Sequence, residues 1–490
     1  MRKRKRRRRR KRRRKRRRKE KRRKKEEKGR RKVLGMNNWS TRHYPQKPES
    51  QNLKCIKVSP GGRLEGKLSV QGSKNSALPV MAAALLHDGF TIIKNCPRIT
   101  DVDCMALLLT SAGCRVFWQN NMLVIDAKDA GPVKISEELA GRIRASILLM
   151  GAMFGRFGES DMPLPGGCRI GRRPIDMHIK AMQNLGADCR LEDGRISFTS
   201  AKPAAADIHF DKKSVGATQN AILAAVRAEG TTVIANAAVE PEVCELCLAL
   251  CNMGADIKGI GTHIITVTGV SELFDSVYEI RPDRIVLGTY MGAVAACGGD
   301  VIIDNCTPYM AHGFLDVMTA IGVDCNVYEE TAASGRRIGM HIAMKERPHP
   351  VNYIATAPYP GFPTDMQPIV MAVLSTASGE SHIAENIFEN RLAVAKQLNR
   401  MGADIIICDN RLAEIKGVPK LRGASMQAQD LRAAAGLLVA ALAAESESVI
   451  CNAEYILRGY ENISRDLALI GAEAVIEHGA DYEEEVQKEK

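Results

Sequence analysis

A few residues in this chain join a reactive side chain to surroundings that would tune it. Cys168 lies in GGCRIGRR, between two glycines and a cluster of Arg169, Arg172 and Arg173. The glycines suit a mobile loop, and nearby positive charge stabilises a thiolate. An incidental surface cysteine would read the same way in isolation. Asp365 lies in FPTDMQ, where a carboxylate close to a helix start ordinarily serves as a cap. Lys74 and Asn75 follow Gly72 and Ser73 at another helix start. A lysine there opposes the helix dipole, which points either to a bound anion or to a solvated side chain. Metal chemistry is not expected. The ten histidines show no HExxH-like spacing. Cys244, Cys247 and Cys251 in VCELCLALC share one apolar helical face and read as core.

The elements that would carry these residues recur. Six times a helix ends in a glycine turn and a strand follows, at Gly113, Gly186, Gly254, Gly322, Gly402 and Gly471. Glycine takes the left-handed position after a helix at little steric cost. Six apolar, small-residue helices recur with the same period, starting near Ser73, Arg144, Ser214, Asp283, Thr364 and Asp430. Their Ser, Thr and Asp residues are candidate N-caps. A period near 70 residues suits a compact α+β unit, and six units group most naturally as two domains of three. Helix N-termini bearing Ser, Lys, Arg and Asp would then face one cleft, a place for a phosphorylated ligand.

Of the first 32 residues 27 are Lys or Arg, whereas the whole 490-residue chain carries a net charge of only +15. The chain is therefore a basic arm on a mildly acidic body, and its overall pI describes neither. The arm, residues 1–35, has almost no apolar residues and is expected to be disordered. Residues 1–34 could contact RNA, DNA or anionic lipid without specificity, or translation could begin at Met36. The arm is too polar for a secretory signal. The longest apolar run, at 433–446, is too short and alanine-rich to span a bilayer, so no transmembrane segment is expected. Fourteen dispersed cysteines fit a reducing cytoplasm.

GSKNSALP at 72–79 and LPGGCRIGRRPIDMH at 164–178, set in the six-unit pattern, resemble the UDP-N-acetylglucosamine 1-carboxyvinyltransferase family. PTDMQ at 363–367, IFENR at 387–391, DLRA at 430–433 and RGYE at 458–461 add to the likeness, which runs from about Lys54 to about Gly479. The resemblance implies an α+β, two-domain inside-out α/β barrel of six βαβαββ-like units. Residues 54–71 with 282–479 would form one domain and 72–281 the other, with 480–490 a charged tail. It implies transfer of enolpyruvate from phosphoenolpyruvate to the sugar 3-hydroxyl of UDP-N-acetylglucosamine, opening peptidoglycan synthesis, with no cofactor.

By that resemblance Cys168 is the general acid, alkylated in the family by the epoxide fosfomycin. Asp365 faces the acceptor hydroxyl, and Lys74 acts in catalysis and on the phosphate. Lys74, Asn75, Arg144, Arg173, Arg391, Arg432 and Arg458 would hold phosphoenolpyruvate; an arginine fork suits both phosphate and carboxylate. Arg144, Arg173, Pro174, Ile175, Asp176, Met177, Lys212, Lys213, Ser214, Val215, Asp365 and Ile387 would hold the nucleotide sugar. Lys213 and Thr100 depart from the family's usual residues. Two other readings stay open: transfer to shikimate 3-phosphate, and nucleic-acid binding through the arm.

Overall fold

The computed structural model describes residues 54–164, 170–171, 173–332 and 335–478. The basic arm, the charged tail and Cys168 lie outside the described residues, and with them the expectations of a disordered arm and a mobile cysteine loop.

Four of the six repeated helices begin as their sequences suggest. Ser73, Ser214, Asp283 and Asp430 accept first-turn backbone N–H bonds at the starts of Lys74–Ala83, Val215–Ala225, Arg284–Cys297 and Leu431–Leu442. The other two begin with 3₁₀ turns, Arg144–Ile147 and Thr364–Met366, ahead of Leu148–Phe157 and Gln367–Leu374. Thr364 is not a cap; its hydroxyl donates to Glu385 Oε2 at 2.9 Å. The reason is Pro368, which has no N–H for the Thr364 carbonyl. That carbonyl accepts from Gln367 instead, which tightens the turn.

All twelve residues of Leu431–Leu442 are buried. Small residues let such helices pack closely. A Cβ on Gly436 would lie 2.6 Å from the Pro368 carbonyl oxygen, and one on Gly151 would lie 2.5 Å from that of Asn220. Each glycine thus marks a helix crossing that a larger residue would push apart. The six helix-ending glycines all have positive φ, from 80° at Gly471 to 104° at Gly322.

The strands form six separate sheets, five of four strands and one of three. A recurring pattern sets one parallel strand beside an antiparallel run, as in Ser276–Glu279, Phe90–Lys94, Met122–Asp126 and Arg115–Gln119. This corrects the expected barrel. Closure requires every strand to be paired on both sides. Each sheet here instead ends in two edge strands and stays open, so the helices pack against six separate walls. The protein is an α+β molecule of two domains. One apolar core joins Ile56–Val70 to residues 285–474; the other is built from residues 77–280.

Two sheets borrow strands from the start of the body. Lys54–Val58 lies between Ser448–Cys451 and Ala474–His478, antiparallel to both. Leu64–Ser69 runs parallel to Gly299–Asp304. The chain then leaves and re-enters this half through two adjacent crossovers. Ser73 N donates to Arg281 O and Asp283 N donates to Gln71 O, both at 2.8 Å. No helix among the described residues is long and apolar enough to cross a membrane.

Candidate active site

Residues from all six helix starts line one cavity of about 710 Å³ between the two cores. One wall brings Lys74, Asn75, Arg144, Arg173, Pro174, Met177, Lys212, Lys213, Ser214 and Val215. The facing wall brings Asp365, Ile387, Arg391, Arg432 and Arg458. Helix starts present polar N–H groups and partial positive charge, so their convergence favours an anion before any side chain is counted.

On the second wall a carboxylate organises the cations. Asp365 accepts from Arg391 Nη2 at 3.1 Å and from Arg432 Nη2 at 3.2 Å. Burial alone would push this carboxyl up; Arg432 and Arg391 outweigh it and hold it well below the usual carboxylate range. Asp430 aims Arg432 by accepting its backbone N–H at 2.7 Å, the same bond that caps the helix. Glu385 shapes the next loop. Its Oε1 accepts from Ile387 N at 2.8 Å and from Phe388 N at 3.0 Å, which sets Ile387 at the cavity.

The first wall places like charges together. Arg144 donates to the Arg173 carbonyl at 2.6 Å. Burial, and then the Arg173 charge, pushes Arg144 down to about 10. His178 behind them is pushed down to about 3 by burial and then by both arginines, so it is neutral. Asn220 fixes its ring, with Nδ2 2.8 Å from His178 Nδ1.

Contacts also cross the cavity. Asp101 lies 3.1 Å from Lys74 Nζ and accepts from Arg458 Nε at 2.7 Å. Burial pushes the Lys74 ammonium down; Asp101 works against this, while Arg432 and Arg458 add to it. The Phe388 ring sits near both Arg173 and Arg391, at 5.6 and 5.2 Å. Asn390 N donates to Ile170 O at 3.1 Å, which ties Ile170 to the opposite wall.

Two expected site residues fall off the cavity wall. Ile175 packs against the core, and Asp176 is exposed at the start of Asp176–Asn184. Thr100 donates to the Leu457 carbonyl at 3.2 Å rather than facing the cavity. Sequence reasoning missed Asp101, whose place in a first helical turn looks like dipole compensation. It also missed the pair formed by Arg284 and Glu242 on the cavity wall, with Nε to Oε1 at 2.9 Å. No short-range pattern signals either partnership. The thiols of VCELCLALC lie on Pro241–Asn252, with Cys247 buried and the other two half-buried.

The EPSP synthase (3-phosphoshikimate 1-carboxyvinyltransferase) family profile matches residues 58–467. UDP-N-acetylglucosamine 1-carboxyvinyltransferase 1 of Carboxydothermus hydrogenoformans is 44% identical over 410 residues, 84% of this chain and 95% of that one. UDP-N-acetylglucosamine 1-carboxyvinyltransferase 2 of Caldanaerobacter subterraneus is 41% identical over 420 residues, 86% and 99% of the two chains. Among solved structures, an enolpyruvyl transferase from Streptomyces tendae superposes with a TM-score of 0.76 at 24% identity, covering 87% of this chain and 99% of that one. EPSP synthase from Acinetobacter baumannii gives 0.68 at 18%, covering 86% and 100%. These two likenesses concern the fold. The sequence relatives place it more closely: the chain belongs to the UDP-N-acetylglucosamine 1-carboxyvinyltransferase family of enolpyruvyl transferases.

Proposed function

We propose that the chain transfers the enolpyruvyl group of phosphoenolpyruvate to the 3-hydroxyl of UDP-N-acetylglucosamine and releases phosphate, the first committed step of peptidoglycan synthesis. The observation that supports a site for this reaction is Asp365, held ionised between Arg391 and Arg432 and facing Lys74, Arg144 and Arg173 across one cavity. Lys74, Arg144 and Arg173 suit the phosphate, and Arg391, Arg432 and Arg458 suit the carboxylate. Asn75 and the segment from Lys212 to Val215 complete the ligand contacts, with Pro174, Met177 and Ile387 against the nucleotide sugar.

The chemistry runs through addition and elimination. A proton reaches C3 of phosphoenolpyruvate, the sugar oxygen bonds C2, and the tetrahedral adduct then loses phosphate and a C3 proton. Cys168 is the proposed proton donor to C3. A carboxylate held as low as Asp365 is a weak base before reaction, so it first orients the acceptor hydroxyl. It takes that proton only as the C–O bond forms and the hydroxyl acidifies.

Phosphate release with each acceptor tests the reading. UDP-N-acetylglucosamine should support turnover and shikimate 3-phosphate should not. Cys168→Ser should stay folded, bind nucleotide sugar and lose nearly all transfer, because a hydroxyl is a far poorer acid. Cys168→Asp should retain appreciable transfer and resist epoxide alkylation. A folded Cys168→Ser protein turning over like the parent would remove Cys168 from the mechanism.

The proposal carries three finer statements. The domains meet near 71–72 and 281–282, supported by the two apolar cores. Nucleotide sugar favours their closure, because the facing cations repel until an anion lies between them; unchanged small-angle scattering on ligand addition would contradict this. The reaction is cytoplasmic, in keeping with the free thiols among the described cysteines. Residues 1–34 contribute at most salt-sensitive contact with RNA, DNA or anionic lipid. A chain begun at Met36 should keep full transfer, and loss of most phosphate release would show the arm to be needed.

A further inference from the structure

We infer that Cys55 and Cys451 form a dithiol site that closes into an intramolecular disulfide when a small-molecule disulfide supplies the oxidant. Cys55 lies directly opposite Cys451 on antiparallel strands, with the two Sγ atoms 3.5 Å apart. Residues facing each other this way have Cα atoms about 4.5–5.5 Å apart, inside the ~4.4–6.8 Å that a disulfide spans. Side-chain rotation is enough to bring the sulfurs to bonding distance, and the strands need not separate.

Exposure sets the order of steps. Cys55 is only 4% exposed, while Cys451 is half-buried. Cys451 therefore meets the oxidant first. Its thiolate attacks one sulfur of the small disulfide, expels one thiolate and leaves a mixed disulfide. Cys55 then gives up its proton, attacks the Cys451 sulfur and expels the second thiolate. Two protein thiols are oxidised, and one small disulfide is reduced to two thiols that take up the two protons. The second step is the slower one. Burial, followed by the hydrogen bond and charge of Cys451, pushes the Cys55 thiol up to about 12. The contributions of Cys451 vanish once it carries the mixed disulfide, leaving burial as the main barrier.

The bond would join the two central strands of the sheet through cysteines 396 residues apart in sequence. Closing so long a loop restricts the unfolded chain and should fasten the borrowed strand Lys54–Val58 in place. Neither cysteine lines the cavity, so transfer should continue in the oxidised protein.

The test is incubation of the full chain with oxidised glutathione, followed by alkylation and peptide mapping. A linked peptide holding Cys55 and Cys451 should accumulate, and the thermal midpoint should shift upward and return with dithiothreitol. Cys55→Ser should stop at a glutathione adduct on Cys451. Cys451→Ser should lose adduct, link and midpoint shift together. The inference fails if both thiols of the parent remain open to alkylation, or if the parent accumulates the Cys451 adduct without the link. An unshifted midpoint in linked protein would overturn the fastening role.

Discussion

The two walls of the cavity carry the same sign of charge and handle it differently. Around Asp365 the charges are matched: one carboxylate accepts from two arginines, and a neighbouring aspartate cap aims one of them. Around Arg144 the charges are crowded: a second arginine adjoins it, and a buried histidine behind is kept neutral. A matched cluster is organised before ligand arrives. A crowded one holds potential that an anion can relieve. The first should matter for both folding and turnover, and the second mainly for binding.

The sharpest way to break this contrast is Asp365→Asn. It keeps the shape but removes the charge that orders Arg391 and Arg432. Transfer should fall by about 10²–10⁴-fold in kcat, as for loss of a positioned acid–base group, in a protein that still folds with lowered stability because two buried arginines lose their shared partner. Turnover within a few fold of the parent would show that the matched pair is only structural.

Paired substitutions test stability. Arg432→Ala should cost about 2–3 kcal/mol, less than the ~3–5 kcal/mol for breaking a fully buried pair, because Asp365 keeps Arg391 and its side chain is 25% exposed. Arg144→Ala should leave stability within about 1 kcal/mol of the parent, since loss of the hydrogen bond to the Arg173 carbonyl is offset by relieved repulsion. It should instead raise KM for phosphoenolpyruvate roughly tenfold or more, as for a lost charge-assisted bond. Equal losses in chemical denaturation would erase the distinction between the walls.

Asp101 joins the walls and should give an effect on pH. It raises the affinity of Lys74 for its proton against the burial that lowers it. In Asp101→Asn the ammonium should be lost at a lower pH. KM for phosphoenolpyruvate should therefore begin to climb at a lower pH than in the parent. Superimposable profiles would deny Asp101 this positioning role.

The effect that is smallest at neutral pH is acid destabilisation through His178. Its folded pKa, about 3, lies below the unfolded value of ~6.5. The unfolded chain therefore binds the proton first, and stability is lost as pH falls from ~6.5 toward ~3. His178→Gln should flatten the loss between about pH 6.5 and 4. Asp365, also depressed, contributes stability that is complete above ~3.9 and fades only below it. A His178→Gln curve parallel to the parent over the upper window would contradict the assignment.

Much of this arrangement could be read from local pattern. The glycines that end six helices and four of the caps follow from single-residue conformational preferences, and the cation-bearing motifs each begin or adjoin such a helix. What could not be read is set by distance or direction. Asp101 meets Arg458 across 357 residues of sequence. Asp176 and Met177 are neighbours in one motif, yet successive helical residues point in different directions, so only Met177 reaches the cavity. The barrel failed as an expectation because strand patterns fix which face is apolar, whereas closure depends on how the edges of separate sheets meet. Thr364 failed as a cap through Pro368, a local signal that was present in the sequence.

The strand Lys54–Val58 has a consequence for how the chain is made. Its neighbours Ser448–Cys451 and Ala474–His478 are among the last described elements to be synthesised. At about 5–20 residues per second, the 396 residues between Cys55 and Cys451 take roughly 20–80 s to emerge. The 77–280 core contains no residue from outside that interval, so it can assemble on the ribosome while the strand waits without its pairing edges. Nascent chains stalled after residue 300 should therefore show a protease-resistant fragment of the first-finished half and a readily cleaved segment before Gln71. Early protection of both would mean that the waiting strand finds another partner during synthesis.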